Sequence, residues 1–218
     1  MTQLLLVRHG MTDWVGERLA GRTPGIPLNA AGRAEAAALA ARLADTPIEA
    51  VYASPLERTR ETAGYLAQPR GLDVTVLDGV GEVDFGAWTG RPLAELRREK
   101  LWRTVRSTPS AMRFPDGERL LDAQARALAA IEAVRAAHPW STVAVVSHAD
   151  IIKAILAHHA GLHFDLFQRI TIGTASLSIL HLAADGASVV LVNDVGRVPP
   201  PPKPPEPEPA AEPDSQEG

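Results

Sequence analysis

Residues 4–10, LLLVRHG, join four consecutive apolar side chains to an arginine, a histidine and a glycine. A short apolar run without polar alternation is typical of a parallel strand that is covered on both faces. In open α/β sheets, ligands bind beyond the carboxyl ends of such strands. The stretch therefore predicts a central strand of an α/β fold, with Arg8 and His9 at a ligand site.

The same alternation of short apolar runs and Ala-rich helical segments continues along the chain. The predicted strands are Gln3–Val7, Ala50–Ala53, Val74–Leu77, Thr142–Ser147, Leu177–His181 and Val189–Val192. The predicted helices are Ala30–Ala44, Pro55–Ala67, Pro92–Val105, Arg119–Ala137 and Asp150–His159. This order predicts a single α/β domain over residues 1–197, a three-layer α/β/α sandwich with a mainly parallel central sheet.

Composition excludes several classes of function. The 218 residues carry a formal net charge of −4, so no overall basic field is available to bind nucleic acid or an anionic membrane. The chain has no Cys, which excludes disulfides, thiolate metal sites and Cys nucleophiles. No basic signal-peptide region precedes the first apolar run, and the later apolar stretch 143–160 contains His148, Asp150 and Lys153. We therefore expect a cytoplasmic protein that does not enter a membrane.

Residues 198–218 are rich in Pro and Glu and contain no large apolar residue after Val198. Such a segment has nothing to bury against a core, so it is predicted to be a disordered tail. An inert extension is favoured over a polyproline ligand for a partner protein.

Three predicted strand ends carry residues suited to phosphate chemistry. Arg8 and His9 follow the first strand, Arg58 lies in the helix after the second, and His148 follows the strand Thr142–Ser147. A guanidinium donates paired hydrogen bonds to phosphate oxygens. One imidazole can attack phosphorus, while a second can stabilise the equatorial oxygens. Together they predict a site for phosphoryl transfer.

A leaving alkoxide also needs a proton donor, and a carboxylic acid beside a bound phosphate can serve. Glu82, in the segment GEVDFGAWTG, is the candidate, and Asp84 is its rival. A neighbouring phosphate dianion favours the protonated carboxyl.

At this point four segments, LLLVRHGMTDW, SPLERTRETA, GEVDFGAWTG and VVSHADIIKAIL, resemble the signature segments of the histidine phosphatase (phosphoglycerate mutase-like) superfamily. The resemblance spans Leu4 to about Asp194 and implies that fold. It implies that a small-molecule phosphate monoester is hydrolysed without a metal or other cofactor. The roles it implies are a phosphorylated nucleophile for His9, a phosphate pocket for Arg8, Arg58 and His148, an acid/base for Glu82, and substrate contacts for Thr12 and Gly21.

The sequence also departs from the family pattern. Val15 stands where many members have Asn, so one polar phosphate contact is missing. Arg119 stands where Ser is usual, so the substrate contacts of that loop differ from the family pattern. The segment from Glu82 to His148 is compact, whereas the mutases carry a longer insertion there. This resembles a compact bacterial branch of phosphomutases and phosphatases and favours hydrolysis over mutase action. A phosphomutase is the alternative enzyme, and a non-catalytic phospho-ligand or scaffold protein is the alternative of another class.

Two further hypotheses concern ligands. Six basic residues could hold a second anionic group of the substrate, namely Arg97, Arg98, Lys100, Arg103, Arg106 and Arg113. The spacing of His158, His159 and His163 could suggest a metal site, but Gly161 should end the helix between them, so metal binding is not favoured. The sequence leaves the alcohol portion of the substrate open.

Overall fold

A six-stranded sheet forms the centre of the structure, a computed structural model that describes residues 1–197. Its strands in chain order are β1 (Thr2–Arg8), β2 (Ile48–Ala53), β3 (Val74–Val76), β4 (Thr142–Ser147), β5 (Leu177–Ala183) and β6 (Gly186–Asp194). Across the sheet the order is β3-β2-β4-β1-β5-β6. Strands β1 to β4 are parallel to one another, while β5 and β6 form an antiparallel edge. The predicted mainly parallel sheet is confirmed.

Helices cover both faces of this sheet. They are α1 (Ala30–Arg42), α2 (Glu57–Ala67), α3 (Leu93–Leu96), α4 (Lys100–Ser107), α5 (Leu120–Ala137) and α6 (Ala149–His159). Helices α1 and α2 pack on one face with Leu5 and Val7, and α5 and α6 pack on the other with Leu4 and Leu6. Because successive strand side chains point to opposite faces, the unbroken apolar run of β1 contributes to both cores. The three-layer sandwich is therefore confirmed.

The predicted single helix Pro92–Val105 is wrong. It is divided into α3 and α4, and Glu99 between them has an extended backbone. Leu96 and Trp102 are six residues apart, which would place them about 120° apart around one continuous helix. The interruption lets Leu96 stay buried while Trp102 stacks on Trp88.

Other helix boundaries differ from prediction by one or two residues. Asn29 caps α1 by accepting a hydrogen bond from the backbone N–H of Gly32 at 2.9 Å. Within residues 1–197, no helix is both long enough and apolar enough to span a bilayer. The predicted disordered tail, residues 198–218, lies outside the described residues, so the division of the chain at residue 197 stays a prediction.

Candidate active site

The candidate residues lie at the carboxyl ends of three neighbouring parallel strands. Strand β1 ends at Arg8, β2 is followed by Ser54, and β4 ends at Ser147. Because β4 lies between β2 and β1, these ends are side by side. The backbone N–H of His9 donates to the carbonyl of Ser147 at 3.0 Å, which joins two of the loops directly. The sheet topology thus assembles segments that are far apart in sequence.

His9 is buried and has a defined orientation, with only 4% of its surface exposed. Its Nδ1 donates a hydrogen bond to the carbonyl oxygen of Gly10 at 2.7 Å. This contact places the proton of a neutral imidazole on Nδ1 and leaves the lone pair on Nε2. Burial, followed by the charges of Arg8 and Arg58, lowers the pKa of His9 well below its usual value. The side chain is therefore a neutral potential nucleophile.

The loop that holds His9 lies directly against the start of α1. A Cβ atom on Gly10 would lie 2.5 Å from the carbonyl oxygen of Gly32, and one on Gly32 would lie 2.1 Å from that of Met11. Only glycines permit this approach of two backbones. The N–H of Gly10 also donates to Oγ1 of Thr62 at 3.0 Å. The loop is thus fixed between α1 and α2.

Two arginines present unpartnered N–H groups inside the protein. Arg58 is 1% exposed, and its Nη2 donates to the carbonyl of Gly21 at 2.8 Å. Nη1 of Arg8 donates to the carbonyl of Ile172 at 2.7 Å. Nε of both arginines and Nη1 of Arg58 are buried without a hydrogen-bond partner in the described part of the chain. Since buried donors are normally paired, these N–H groups indicate a site for an anion with several oxygen acceptors.

His148 is fully buried between the other groups. Its Nε2 lies 2.8 Å from Oγ of Ser54, and its Nδ1 lies 3.4 Å from Nη2 of Arg58. Because a guanidinium can only donate, Nδ1 is the acceptor and Nε2 carries the proton of the neutral ring. Its ring centroid is 5.3 Å from that of His9. Burial and then the charge of Arg58 lower the pKa of His148 well below its usual value.

Glu82 lies beside His148 with 14% of its side chain exposed. Its Oε1 accepts a hydrogen bond from the N–H of Val83 at 2.9 Å, and its Oε2 lies 3.7 Å from Nδ1 of His148. Burial, followed by the negative charge of Asp150, raises the pKa of Glu82 to about 7, against the opposing charge of Arg58. This carboxyl can therefore donate and accept a proton near neutral pH.

The loop that carries Glu82 is held by one side chain of α5. Arg126 donates hydrogen bonds to the carbonyls of Gly79 at 2.8 Å, Gly81 at 2.8 Å and Glu82 at 3.0 Å. The same guanidinium is paired with Glu118, with Nη2 at 2.7 Å from Oε1. The backbone on both sides of the candidate acid is thus fixed by a half-buried ion pair.

The remaining predicted positions divide between the site and its surroundings. Thr12 is 2% exposed, and its Oγ1 accepts a hydrogen bond from the N–H of Trp14 at 3.3 Å. Gly21 has a φ of +52° and uses its carbonyl to orient Arg58. Asp84 instead accepts a hydrogen bond from the N–H of Gly86 at 3.0 Å and stabilises a turn.

Most of these groups line one cavity of about 160 Å³, which we call the His9 cavity. His148 is not part of the lining, but it contacts Arg58, which is. Its lining includes Arg8, His9, Thr12, Val15, Gly21, Arg58, Glu82 and Asp150. Asp84 is not in this lining, whereas Glu82 is. The combination of two guanidinium groups, a neutral imidazole and a protonatable carboxyl suits transfer of a phosphoryl group.

Sequence reasoning missed several supporting residues. Asp150 was predicted only as the first residue of a helix, but His148 is the residue that precedes α6 at its cap position, and Asp150 lines the His9 cavity. Ser54 contacts His148, and Arg126 holds the Glu82 loop. The position of Ser54 at a strand end was a usable signal, whereas the role of Arg126 depends on tertiary structure alone.

The two further ligand hypotheses have different outcomes. The six basic residues proposed for a second anion are exposed and do not line the His9 cavity; Arg106 borders a neighbouring cavity. Among the residues that the structure describes, no group of three or more His, Cys, Asp or Glu side chains could hold a metal ion.

Comparison with known proteins adds independent information. The family model described as "Histidine phosphatase superfamily (branch 1)" matches residues 4–195. The bifunctional protein Rv2228c of Mycobacterium tuberculosis is 39% identical over 201 residues, covering 89% of this chain but 54% of the relative. The chain thus spans about half the length of this relative.

Two further comparisons cover nearly the whole of both chains. Phosphoserine phosphatase 1 of Hydrogenobacter thermophilus is 31% identical over 187 residues, covering 84% of this chain and 87% of the relative. The solved structure of YhfR from Bacillus stearothermophilus has a TM-score of 0.84 at 28% identity, covering 89% of this chain and 98% of that chain. The family match over residues 4–195 includes every residue that lines the His9 cavity.

Proposed function

The chain belongs to the histidine phosphatase superfamily, and on this basis we propose that it hydrolyses phosphate monoesters through a phosphohistidine formed on His9. The observation that carries the proposal is that Arg8 and Arg58, which have unpartnered N–H groups, line the same cavity as neutral His9. An anion bound to these donors is placed beside a nucleophile that cannot be protonated easily.

In the first step, Nε2 of His9 attacks phosphorus and the bond from phosphorus to the ester oxygen breaks. Protonated Glu82 gives its proton to the leaving alkoxide, so a neutral alcohol departs. Arg8 and Arg58 bind the phosphoryl oxygens throughout the transfer. A bound phosphate dianion favours the protonated form of His148, which then stabilises the equatorial oxygens.

In the second step, Glu82 acts as a carboxylate and takes a proton from water. The water oxygen attacks phosphorus, the bond from phosphorus to Nε2 breaks, and inorganic phosphate leaves. A pKa of about 7 suits both duties of Glu82, because neither protonation state is strongly disfavoured near neutral pH. The cycle returns His9 and Glu82 to their starting states.

Water is favoured over a second alcohol as the final acceptor of the phosphoryl group. The support is the compact segment between Glu82 and His148, which holds only short helices and turns before α5. With 3-phosphoglycerate as substrate, release of free phosphate supports hydrolysis. Isomerisation that depends on a bisphosphate primer would instead support a phosphomutase.

We infer further that no divalent metal is needed, since Arg8 and Arg58 supply positive charge at the phosphate. Activity that survives dialysis against a chelator would support this inference. A cytoplasmic location is proposed from a composition without cysteine. The expectations that the chain binds no nucleic acid and that the tail is inert stay predictions.

The decisive experiment traps the intermediate. Wild-type protein mixed with a ³²P-labelled ester and quenched should carry an acid-labile label, and His9→Ala should carry none. Turnover of an aryl phosphate should fall by about 10³-fold or more in His9→Ala. His158→Ala is the matched control, because His158 is exposed and outside the His9 cavity.

A loss of less than tenfold in a folded His9→Ala protein would contradict the role of His9. If the wild-type chain binds phosphate esters but neither hydrolyses them nor becomes labelled, it is a non-catalytic phospho-ligand protein.

A further inference from the structure

A second cavity adjoins the His9 cavity, and we call it the Trp102 cavity. Its volume is about 230 Å³. The two cavities share four lining residues, Leu19, Phe85, Leu93 and Asp150. Any group attached to a phosphate in the His9 cavity therefore has this space next to it.

The walls of the Trp102 cavity are mostly apolar and aromatic. Trp102 and Val105 of α4 line the cavity together with Trp88 and Phe114. The indoles of Trp88 and Trp102 are stacked with centroids 6.1 Å apart, and Phe114 meets Trp88 edge to face at 5.5 Å. Such walls offer few hydrogen-bonding groups to replace the hydrogen bonds that water makes to the hydroxyls of a sugar. They favour an apolar or aromatic occupant.

Three charged side chains line this cavity, and its two cations, Lys153 and Arg106, are respectively paired and exposed. Lys153 is already engaged, since its Nζ lies 3.1 Å from Oδ1 of Asp150 and 3.0 Å from Oε1 of Gln168. The Asp150 carboxylate is part of the lining and would repel a second carboxylate or phosphate. Arg106 is exposed at the border, where water weakens its attraction for anions.

We propose that the Trp102 cavity binds the alcohol portion of the substrate, and that this alcohol is uncharged and carries an aromatic or branched apolar group. The inference rests on the proposed function, because it assumes that the phosphate occupies the His9 cavity. The size is sufficient, since an apolar cavity of about 150 Å³ can hold benzene. The interruption between α3 and α4 contributes to specificity by allowing Trp102 to form a wall.

The test measures binding without turnover. Isothermal titration with 2-phenylethylphosphonate, ethylphosphonate and 2,3-dihydroxypropylphosphonate compares three inert ligands with the same anionic group. Burial of the phenyl ring should make the first bind on the order of 10- to 100-fold more tightly than the other two. Equal affinities for all three in the wild-type protein would overturn the proposal.

Variants of the cavity wall test whether the preference for the phenyl ligand arises in the Trp102 cavity. Trp102→Ala should reduce the preference for the phenyl ligand by about tenfold, whereas Trp140→Ala should retain it because Trp140 is 83% exposed and outside the cavity. If Trp102→Ala does not fold, Val105→Thr introduces a hydroxyl at nearly constant volume and should also reduce the preference. An unchanged preference in a folded variant of either wall residue would contradict the assignment.

Turnover distinguishes this inference from the proposed function. Alkyl esters avoid the bias of activated aryl leaving groups, so 2-phenylethyl phosphate is compared with glycerol 3-phosphate. Hydrolysis of both at equal kcat/KM, without discrimination among the phosphonates, would overturn the cavity assignment and leave the phosphatase intact. Hydrolysis of neither, with discrimination retained, would overturn the proposed function and leave the apolar subsite.

Discussion

Oε2 of Glu82 lies 3.7 Å from Nδ1 of His148, and burial shifts the pKa values of these two groups in opposite directions. Burial disfavours whichever form is charged, so the pKa of the carboxyl rises and that of the imidazole falls. Near neutral pH the unliganded pair therefore consists of a neutral imidazole and a carboxyl that is populated in both its protonated and its ionised form. An arriving phosphate dianion meets a carboxyl that can already donate a proton.

The pH dependence of this donor should respond to Asp150. The negative charge of Asp150 helps to raise the pKa of Glu82, so Asp150→Asn should lower it. Glu82 would then lose its proton at lower pH. Because the protonated carboxyl is needed for the first step, the alkaline limb of the kcat/KM profile should also move to lower pH. Steady-state profiles between pH 5 and 9 check this expectation.

Asp73→Asn is a suitable control for that experiment, because Asp73 is exposed and directly precedes β3, at the end of the parallel strands opposite to the site. An alkaline limb that stays in place in Asp150→Asn would mean that another group determines it.

The role of Glu82 as proton donor can be separated from a structural role by varying the leaving group. Glu82→Gln should slow phosphorylation by alkyl phosphates by about 10²- to 10⁴-fold. With 4-nitrophenyl phosphate, the leaving phenolate needs little protonation, so the loss should be far smaller. Rapid-quench measurement of phosphohistidine formation gives both rates. Equal losses for the two substrates would argue against proton donation, and exposed Glu49→Gln provides the control.

Arg126 should matter for both stability and activity. Arg126→Leu removes the donors to the carbonyls of Gly79, Gly81 and Glu82 and leaves Glu118 without its partner on α5. The free energy of unfolding should fall by about 2 to 4 kcal/mol. Activity should fall as well, because the Glu82 loop loses its support.

Urea unfolding measures the first effect and kcat the second. Arg135→Leu is the matched control on the same helix, since the ion pair of Arg135 with Glu132 is largely exposed and should change stability little. Similar losses of stability in the two variants would contradict a special role for Arg126.

The sequence predicted the strands and the main catalytic candidates because their signals are local. The run Leu4–Val7 is apolar on both faces, and this identifies a central strand without knowledge of its neighbours. Arg8 and His148 lie at or directly after strand ends, and Arg58 lies in the first turn of the helix that follows β2, so the α/β topology brings them to one edge.

Features that depend on tertiary contacts were harder to predict. The division of the helix Pro92–Val105 follows from the stacking of Trp102 on Trp88, which no local pattern reveals. The interaction of Arg126 with the Glu82 loop joins residues more than forty positions apart. Asp150 has the position expected of a capping residue, and only the geometry shows that it lines the cavity.

Two helical glycines give a final, sharply contrasted prediction. In α1, a Cβ on Gly32 would lie 2.1 Å from the backbone oxygen and 2.6 Å from the backbone nitrogen of Met11. In α2, a Cβ on Gly64 would meet only the side chain of Gln68, at 3.7 Å. The same substitution should therefore have opposite effects at the two positions.

Gly64→Ala should stabilise the protein by about 0.5 to 1 kcal/mol, because alanine restricts the unfolded chain without a steric cost in the helix. Gly32→Ala should destabilise it by about 3 kcal/mol, because the clash between α1 and the backbone of Met11 can be relieved only by moving the loop that holds His9. It should also reduce phosphohistidine formation, even in the fraction that folds. Urea unfolding and the labelling assay measure both effects, and a stable, fully active Gly32→Ala protein would show that the loop and α1 are not held together as the structure indicates.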